Sequence, residues 1–442
     1  MLPLFKKNDK LDGTNYRPVS HIIELGKIVE YVVHDQVYNH FVEHKMFHGN
    51  HHGFLGDHST ATALVQLQDM WVTASEDTKL SAALLLDLSA AFDIVDHSIF
   101  IEKLKVYKFS NQTIQWFSSY LSNRKQMVQI ESKLSDPEDL VEHGVPQGSI
   151  LGPLIFILFN NDFPDNSVEG ESVLYADDDT VNVSDEDPVV LQLKIQREAN
   201  RSTDWVRDNR MVCSGDKTKL FVIGTSQLRK SRLIDKDIII KINVCGQTVT
   251  ESSSKKLLGL IVNNKQTWKD YLYGEQWRDR GNAPGLIPQL SQRVGLLKRV
   301  VHLMPPKRFN TICQGIFYSK MLYCLQVVGN VWGIESSDEV NRRFVAFTKD
   351  DNQKLQTLQN SVLRMKTNLP RRTPTRTLLS VGGDLSVQQL TALTSLTSLQ
   401  KVIQNGKPKY IADKLNLSTV NTRQENTIKI DSSLTLTRGA YM

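Results

Sequence analysis

The 442-residue sequence holds only four cysteines, Cys213, Cys245, Cys313 and Cys324, and no two of them form a CxxC pair. That scatter excludes a zinc knuckle and offers no disulfide framework, so a reducing compartment is the expected setting. No apolar run approaches the roughly 18 residues that a membrane span needs, and the N-terminus lacks the order of a secretory signal. A soluble intracellular protein is therefore expected. A strong excess of one charge is also lacking: 53 basic and 48 acidic residues leave a formal net charge of +5, which permits a polyanionic partner without requiring one. Disorder along the whole chain is excluded by 40% hydrophobic and 23% charged residues. The length suffices for several cores, which suits a multi-lobed enzyme better than one small module. There is no internal repeat. Large apolar residues become scarce from about 417, and this Thr/Ser-rich stretch is expected to be poorly ordered.

Periodicity gives an α+β chain. Residues 1–7 read as strand and turn. From 16 to 47 the pattern is helical, with Ile22, Leu25, Val29, Val32 and Val33 as its apolar positions. Further helices are predicted over 60–71, 99–121, 154–159 and 188–210. The run Ala82-Ala83-Leu84-Leu85-Leu86 is too short for most helices and predicts a buried strand ending at Asp87. A short strand is expected at 127–130. Gly144 to Pro153 reads as a punctuated loop. Residues 172–176 and 180–183 form a predicted hairpin with Asp177, Asp178 and Asp179 at its tip. Strands are expected near 219–224, 237–244 and 257–262. After 286 the chain turns helical, with Leu297, Val300, Val301 and Met304 on one buried stripe.

Two buried strands thus present carboxylates with no lysine or arginine adjacent in sequence. Such acids repel one another unless a cation joins them, and oxygen ligands of this kind suit Mg²⁺, which binds through one or two carboxylates plus substrate phosphates. The bland alternative is an Asp-rich turn. A calcium loop fails, because its fifth, sixth and twelfth positions are Val181, Asn182 and Pro188. A serine-hydrolase elbow fails too, because Gly148-Ser149-Ile150-Leu151-Gly152 lacks the Gly-x-Ser-x-Gly spacing.

The strings Leu86-Asp87-Leu88-Ser89-Ala90-Ala91-Phe92-Asp93, Gly144-Val145-Pro146-Gln147-Gly148-Ser149-Ile150-Leu151-Gly152-Pro153 and Tyr175-Ala176-Asp177-Asp178 resemble, in order, the three central palm motifs of reverse transcriptases of non-LTR (LINE-type) retrotransposons. Three ordered strings are far more specific than one. Asn15-Tyr16-Arg17-Pro18-Val19-Ser20 looks like the fingers motif, Asp216-Lys217-Thr218-Lys219 like the motif after the active-site hairpin, and Lys256-Leu257-Leu258-Gly259 like the primer grip. Weaker likeness continues through Trp332-Gly333 and Leu358-Gln359-Asn360 to about residue 400.

The resemblance implies a right-hand polymerase: partial fingers over 1–80, a palm over 81–262, a helical thumb and C-terminal region over 263–400, and a tail. It implies an RNA-directed DNA polymerase acting on an RNA template, a DNA primer or target DNA, and deoxynucleoside triphosphates, in nucleus and cytoplasm. Two Mg²⁺ ions, with Mn²⁺ as the alternative, would be held by Asp87, Asp177 and Asp178. Lys217 would protonate pyrophosphate. Arg17, and less directly Lys6 or Lys7, would hold the triphosphate. Phe92 would abut the sugar C2′ and exclude a 2′-hydroxyl, beside Gln147 and Gly148; without the motif it would read as core. Leu258 and Gly259 would grip the primer.

Two windows without acids, Arg293, Lys298, Arg299, Lys307 and Arg308 in one and Arg364, Lys366, Arg371, Arg372 and Arg376 in the other, would follow phosphates, although solvated helix faces explain each window as well. Arg124-Lys125 is too short to interpret.

The sequence departs from the family at Ser214, where Asn is usual, and after Gly53-Phe54, where an arginine is usual. No endonuclease segment is present, which points to a fragment of a larger element or a nuclease-free copy. Two rivals follow, a catalytically inactive nucleic-acid-binding remnant and a group II intron maturase. The acids, Phe92 and Gln147 argue against the first, and the likeness around Trp332 and Leu358 against the second.

Overall fold

A computed structural model describes residues 1–6, 9–88, 90–139, 143–274, 284–328, 347–414, 418–419 and 428–429. Lys7, Ser89, Trp332 and Gly333 lie outside the described residues, as does nearly all of the stretch beyond 417. The chain opens with β1 (Leu2–Phe5) paired antiparallel to β2 (Tyr16–Val19), Leu4 opposite Arg17. α1 (Glu24–Glu43) follows. Its buried residues are Glu30, Val37 and Phe41, whereas Leu25, Val29 and Val32 are exposed at 76%, 52% and 49%. Of the predicted stripe Val33 packs against the core, while Leu25, Val29 and Val32 lie on the wrong face, because a carboxylate occupies the buried one.

α2 (Thr60–Glu76) begins in a capping box between Ser59 and Thr62 and leads into β3 (Leu80–Asp87), buried throughout until Asp87. The single helix predicted over 99–121 is two, α3 (His97–Val106) and α4 (Asn111–Leu121). Each has its own cap: the Asp96 side chain accepts from Ile99 N at 3.0 Å and Ser110 Oγ from Thr113 N at 3.2 Å. In place of one strand at 127–130 stand two small ladders, β4 (Lys125–Gln126) with β7 (Glu138–Asp139), and β5 (Gln129–Ile130) with β6 (Lys133–Leu134).

α5 (Leu151–Phe159) starts earlier than predicted, with Pro153 inside its first turn, where an N–H has no helical acceptor to lose. Next come β8 (Glu171–Tyr175), β9 (Asp178–Asp185), α6 (Pro188–Asp208), β10 (Lys219–Ile223) and α7 (Ser226–Arg229). β11 (Lys241–Val244) and β12 (Gln247–Thr250) form one hairpin, and β13 (Ser254–Leu257) and β14 (Leu260–Asn263) another. The predicted strand 257–262 is thus β14 at 260–262, preceded by the second hairpin's turn, where Leu258 and Gly259 have φ of 44° and 88°.

After α8 (Lys269–Tyr273) the described chain is helical up to Lys414: α9 (Leu286–Val300), α10 (Pro306–Cys313), α11 (Ser319–Leu322), α12 (Leu325–Val328), α13 (Lys349–Thr367), α14 (Thr375–Gly382), α15 (Val387–Asn405) and α16 (Lys409–Lys414). The stripe of α9 is Leu286, Leu290, Val294 and Leu297. Val300, Val301 and Met304 only border the core, because the helix gives way to a 3₁₀ turn at 301–303.

One antiparallel sheet, ordered β10-β3-β9-β8, separates two cores. Side chains alternate across it. Ala83, Leu85, Val173, Phe221 and Ile223 pack with α2 and with α9 and the helices after it. Leu84, Leu86, Leu174, Val181 and Val222 pack with α3, α5 and α6. The C-terminal helices also reach back: Tyr410 Oη and Lys414 Nζ both donate to Asp69 of α2, and Asn405 Nδ2 donates to Asp57 Oδ1 at 2.9 Å. Among the described residues no helix is long and apolar enough to cross a membrane.

Candidate active site

β3 and β9 pair in a register that sets Asp87 opposite Asp178. Asp178 in turn faces Tyr175 of β8, so the hairpin loop is only Ala176-Asp177. The predicted three-acid tip is corrected accordingly: Asp177 is on the tip, while Asp178 and Asp179 belong to the strand. Ala176 has φ 58° and Asp177 is not left-handed, the pattern of a type II′ loop, whose first position is normally glycine. Gly53 fits against this turn, since a Cβ on it would lie 2.3 Å from Ala176 N.

Residues 50–53 are laid along β8, with Leu174 N donating to Asn50 O at 3.0 Å and His52 N to Leu174 O at 2.8 Å. The His52 ring is 2.7 Å from Gln66 Oε1 and 2.9 Å from Thr62 Oγ1. His51 is fully buried, and neither ring nitrogen has a partner. Burial draws the imidazole of His51 down to about 3 and that of His52 to about 4. The sequence reads here as a Gly- and His-rich loop over 48–58 in which the family's arginine is missing. Its role as a fifth lane beside the hairpin has no periodic signature.

Electrostatics single out the acids. The Asp178 carboxyl is pushed up first because protein displaces water around it, then by Asp177 and by Asp87, with Lys255 opposing. Asp179, one residue on, points to the other face, in register with Leu86 and Leu174. It is buried with no partner for either oxygen, and desolvation, then Asp177 and Asp178, holds it well above the carboxylate range.

Lys217 Nζ stands 3.5 Å from Asp87 Oδ1. Lys255 of β13 is half-buried. Burial lowers its pKa while Asp87 and Asp178 raise it, and its Nζ donates to Lys217 O at 3.4 Å. Sequence reasoning passed over Lys255, although it adjoins the quoted Lys256. Among the described residues no three His, Cys, Asp or Glu side chains are gathered closely enough to hold a metal by themselves. Acids set side by side with no closed protein cage around them fit an ion completed by substrate phosphates.

The turn after β3 carries the second group of residues. Gly144 N donates to Val95 O and Val145 N to Phe92 O, both at 2.8 Å, so the loop before α5 is stitched to residues 92–95. Phe92 stacks on Phe156 at 4.5 Å and meets Phe54 edge-on at 6.1 Å. Gln147 Nε2 donates to Asp93 Oδ1 at 2.7 Å, and Gln147 O accepts from Ser20 N at 2.7 Å. Gly148 has φ 100°, a conformation that favours glycine. Phe92, Gln147 and Gly148 therefore come together, while Arg17 and Lys6 are exposed on or beside the β1–β2 pair.

The loop bearing Lys217 is anchored by Ser214 N donating to Asp87 O at 3.0 Å. Since that contact is made by backbone, Ser in place of the family's Asn leaves it intact. Leu258 O accepts from Tyr323 Oη at 2.6 Å, and the Tyr323 ring lies against Gly259. The basic windows divide. Arg293 donates to Ile316 O and Lys366 is paired with Asp384 inside the fold. Lys298, Arg299, Arg371, Arg372 and Arg376 are exposed.

Residues 5–262 match the family described as "Reverse transcriptase (RNA-dependent DNA polymerase)". The RNA-directed DNA polymerase from mobile element jockey of Drosophila melanogaster is 24% identical over 92% of this chain and 41% of its own length. The probable polymerase from transposon X-element of the same fly is 24% identical over 80% of this chain and 36% of its own length. That from transposon BS is 32% identical over 34% of this chain and 16% of its own length. Among solved structures, apo telomerase from Candida Tropicalis overlaps 87% of this chain and 60% of its own, with 10% identity and a TM-score of 0.39. The chain spans less than half the length of these curated relatives. With more than half of its own length matched, the chain belongs to the reverse transcriptase family, beside the polymerases of non-LTR (LINE-type) mobile elements.

Proposed function

We propose that this chain extends a DNA primer on an RNA template by nucleotidyl transfer, within a non-LTR retrotransposon. The observation that carries the proposal is the register that puts Asp87 directly opposite Asp178, beside the turn bearing Asp177. Directly opposed strand residues share a face and stand about 5 Å apart, close enough for one ion to contact both. In this reading residues 1–80 are fingers, 81–262 palm, and 263–400 thumb and C-terminal region.

Asp87, Asp177 and Asp178 would hold two Mg²⁺ ions, which lower the pKa of a primer hydroxyl and neutralise phosphate charge when bound. The chain's own residues do the rest. Phe92, backed by Phe156, gives the sugar a rigid wall. Gln147 and Gly148 border the nucleotide, and Arg17 with Lys6 faces its phosphates from the β1–β2 pair. Lys217, beside Asp87, offers a proton to the departing pyrophosphate. The Leu258–Gly259 turn, braced by Tyr323, supports the primer end, and Lys298 and Arg299 track the duplex backbone, while Arg293, held to Ile316 O, braces the helix that carries them.

The test is extension of a DNA primer on poly(rA) and on a mixed RNA template with Mg²⁺, next to an Asp177→Asn control. Product from the parent chain and none from the control supports the proposal. Absence of product from both, where a control polymerase works, makes the chain a nucleic-acid-binding remnant.

A further inference from the structure

Glu30 is a buried carboxylate at 3% exposure, and its two oxygens serve two distant elements. Oε1 accepts from Tyr120 Oη of α4 at 2.7 Å, and Oε2 accepts from the backbone N–H of Ile150 at 2.8 Å. Ile150 immediately precedes α5 and brings no side-chain cap of its own. The amides at the start of a helix have no helical acceptors and carry the positive end of its dipole. A carboxylate brought from another helix satisfies both conditions. Ser149 takes a neighbouring amide, its Oγ accepting from Gly152 N at 2.7 Å.

The placement matters because of what lies just upstream. Gln147 and Gly148 sit within three residues of Ile150, and Gln147 O is itself held by Ser20 N at 2.7 Å. Besides its ties to residues 92–95, the loop is thus held at two points, Ser20 and Glu30, that both belong to the β2–α1 stretch. α5 is buried along almost its whole length, so its own packing fixes the downstream side. Asp87 and Asp178 lie on β3 and β9 and take no part in this suspension.

We propose that Glu30 is a positioning residue for the nucleotide pocket: it caps α5 from α1 and so sets where Gln147 stands relative to the incoming nucleotide. The inference rests on the reading that Gln147 borders that nucleotide. Its consequence is selective, since loosening the loop weakens nucleotide binding while leaving primer–template binding in place.

The experiment compares Glu30→Ala, Glu30→Gln and Gln147→Ala by amide hydrogen exchange and by primer extension over a range of nucleotide concentrations. Glutamine can accept from Ile150 N with its oxygen and donate to Tyr120 Oη with its amide, so Glu30→Gln should retain parent-like exchange and KM. Glu30→Ala should speed exchange over residues 148–152 and raise the nucleotide KM by about tenfold, the size expected from losing a cap. Its primer–template Kd should stay within about twofold of the parent.

Parent-like exchange at Ile150 in Glu30→Ala overturns the proposal. So does faster exchange with an unchanged KM when Gln147→Ala raises KM. An unchanged KM in Gln147→Ala itself overturns the nucleotide reading of Gln147, and the exchange data then decide by themselves whether Glu30 holds the loop. If Glu30→Ala does not fold, Glu30→Asp, one methylene too short to span both partners, takes its place with the same outcomes.

Discussion

Asp87 and Asp178 face each other at the same level of adjacent antiparallel strands, an arrangement of like charges that a strand pair disfavours. Burial raises the protonation tendency of the Asp178 carboxyl, and Asp177 and Asp87 add to it. Converting Asp87 or Asp178 to Asn should therefore lower primer extension by roughly a thousandfold or more, without lowering the melting midpoint, because repulsion is removed along with activity. Circular dichroism melts beside the extension assay check both halves.

Phe92 is wedged between Phe156 and Phe54. Its replacement by Ala opens the space that a 2′-hydroxyl would need. Ribonucleotide incorporation relative to deoxyribonucleotide should rise by about tenfold or more, read from paired kcat/KM values. Unchanged sugar discrimination removes Phe92 from its proposed place.

Gly53 has no room for a side chain, its Cβ position being 2.3 Å from Ala176 N. Forcing atoms into packed space costs about 1–3 kcal/mol. Gly53→Ala should displace the hairpin turn and cut primer extension by about tenfold. Gly295, with nothing within 4 Å, lies inside α9, where Ala is the better helix former. Gly295→Ala should leave activity unchanged and raise the melting midpoint slightly, which separates a local clash from a general intolerance of alanine.

His51 and His52 have folded-state pKa values below their ordinary one. For such groups the stabilising contribution is complete above the unfolded pKa near 6.5 and is lost as pH falls toward the folded values, because the unfolded chain takes up the proton first. The melting midpoint should fall between pH 7 and pH 5, each histidine contributing about 2 kcal/mol at the lower pH. His51→Leu should flatten that dependence. A pH response identical to the parent's assigns the loss to other groups.

The site was more legible in the sequence than the elements around it. The apolar run ending at Asp87 and the apolar stretches flanking Asp177 and Asp178 carry the strands by composition alone, and their register follows once they pair. α1 was misread because its buried face is centred on Glu30, and apolar periodicity cannot reveal a face whose central residue is charged. The early start of α5 was hidden by Gly152 and Pro153, both of which a first helical turn tolerates. The lane at 50–53 and the inward turn of Asp179 depend on partners far away in sequence, and no local pattern reports them.

Asp69 is met by Tyr410 and Lys414, 341 and 345 residues downstream. At ribosomal speeds of 5–20 residues per second, α2 waits roughly 20 to 70 seconds for those partners. Throughout that interval its carboxylate must stay hydrated, which keeps the facing surface of α2 from sealing. The face of α2 around Asp69 is therefore completed only when α16 arrives to close over a helix made long before it.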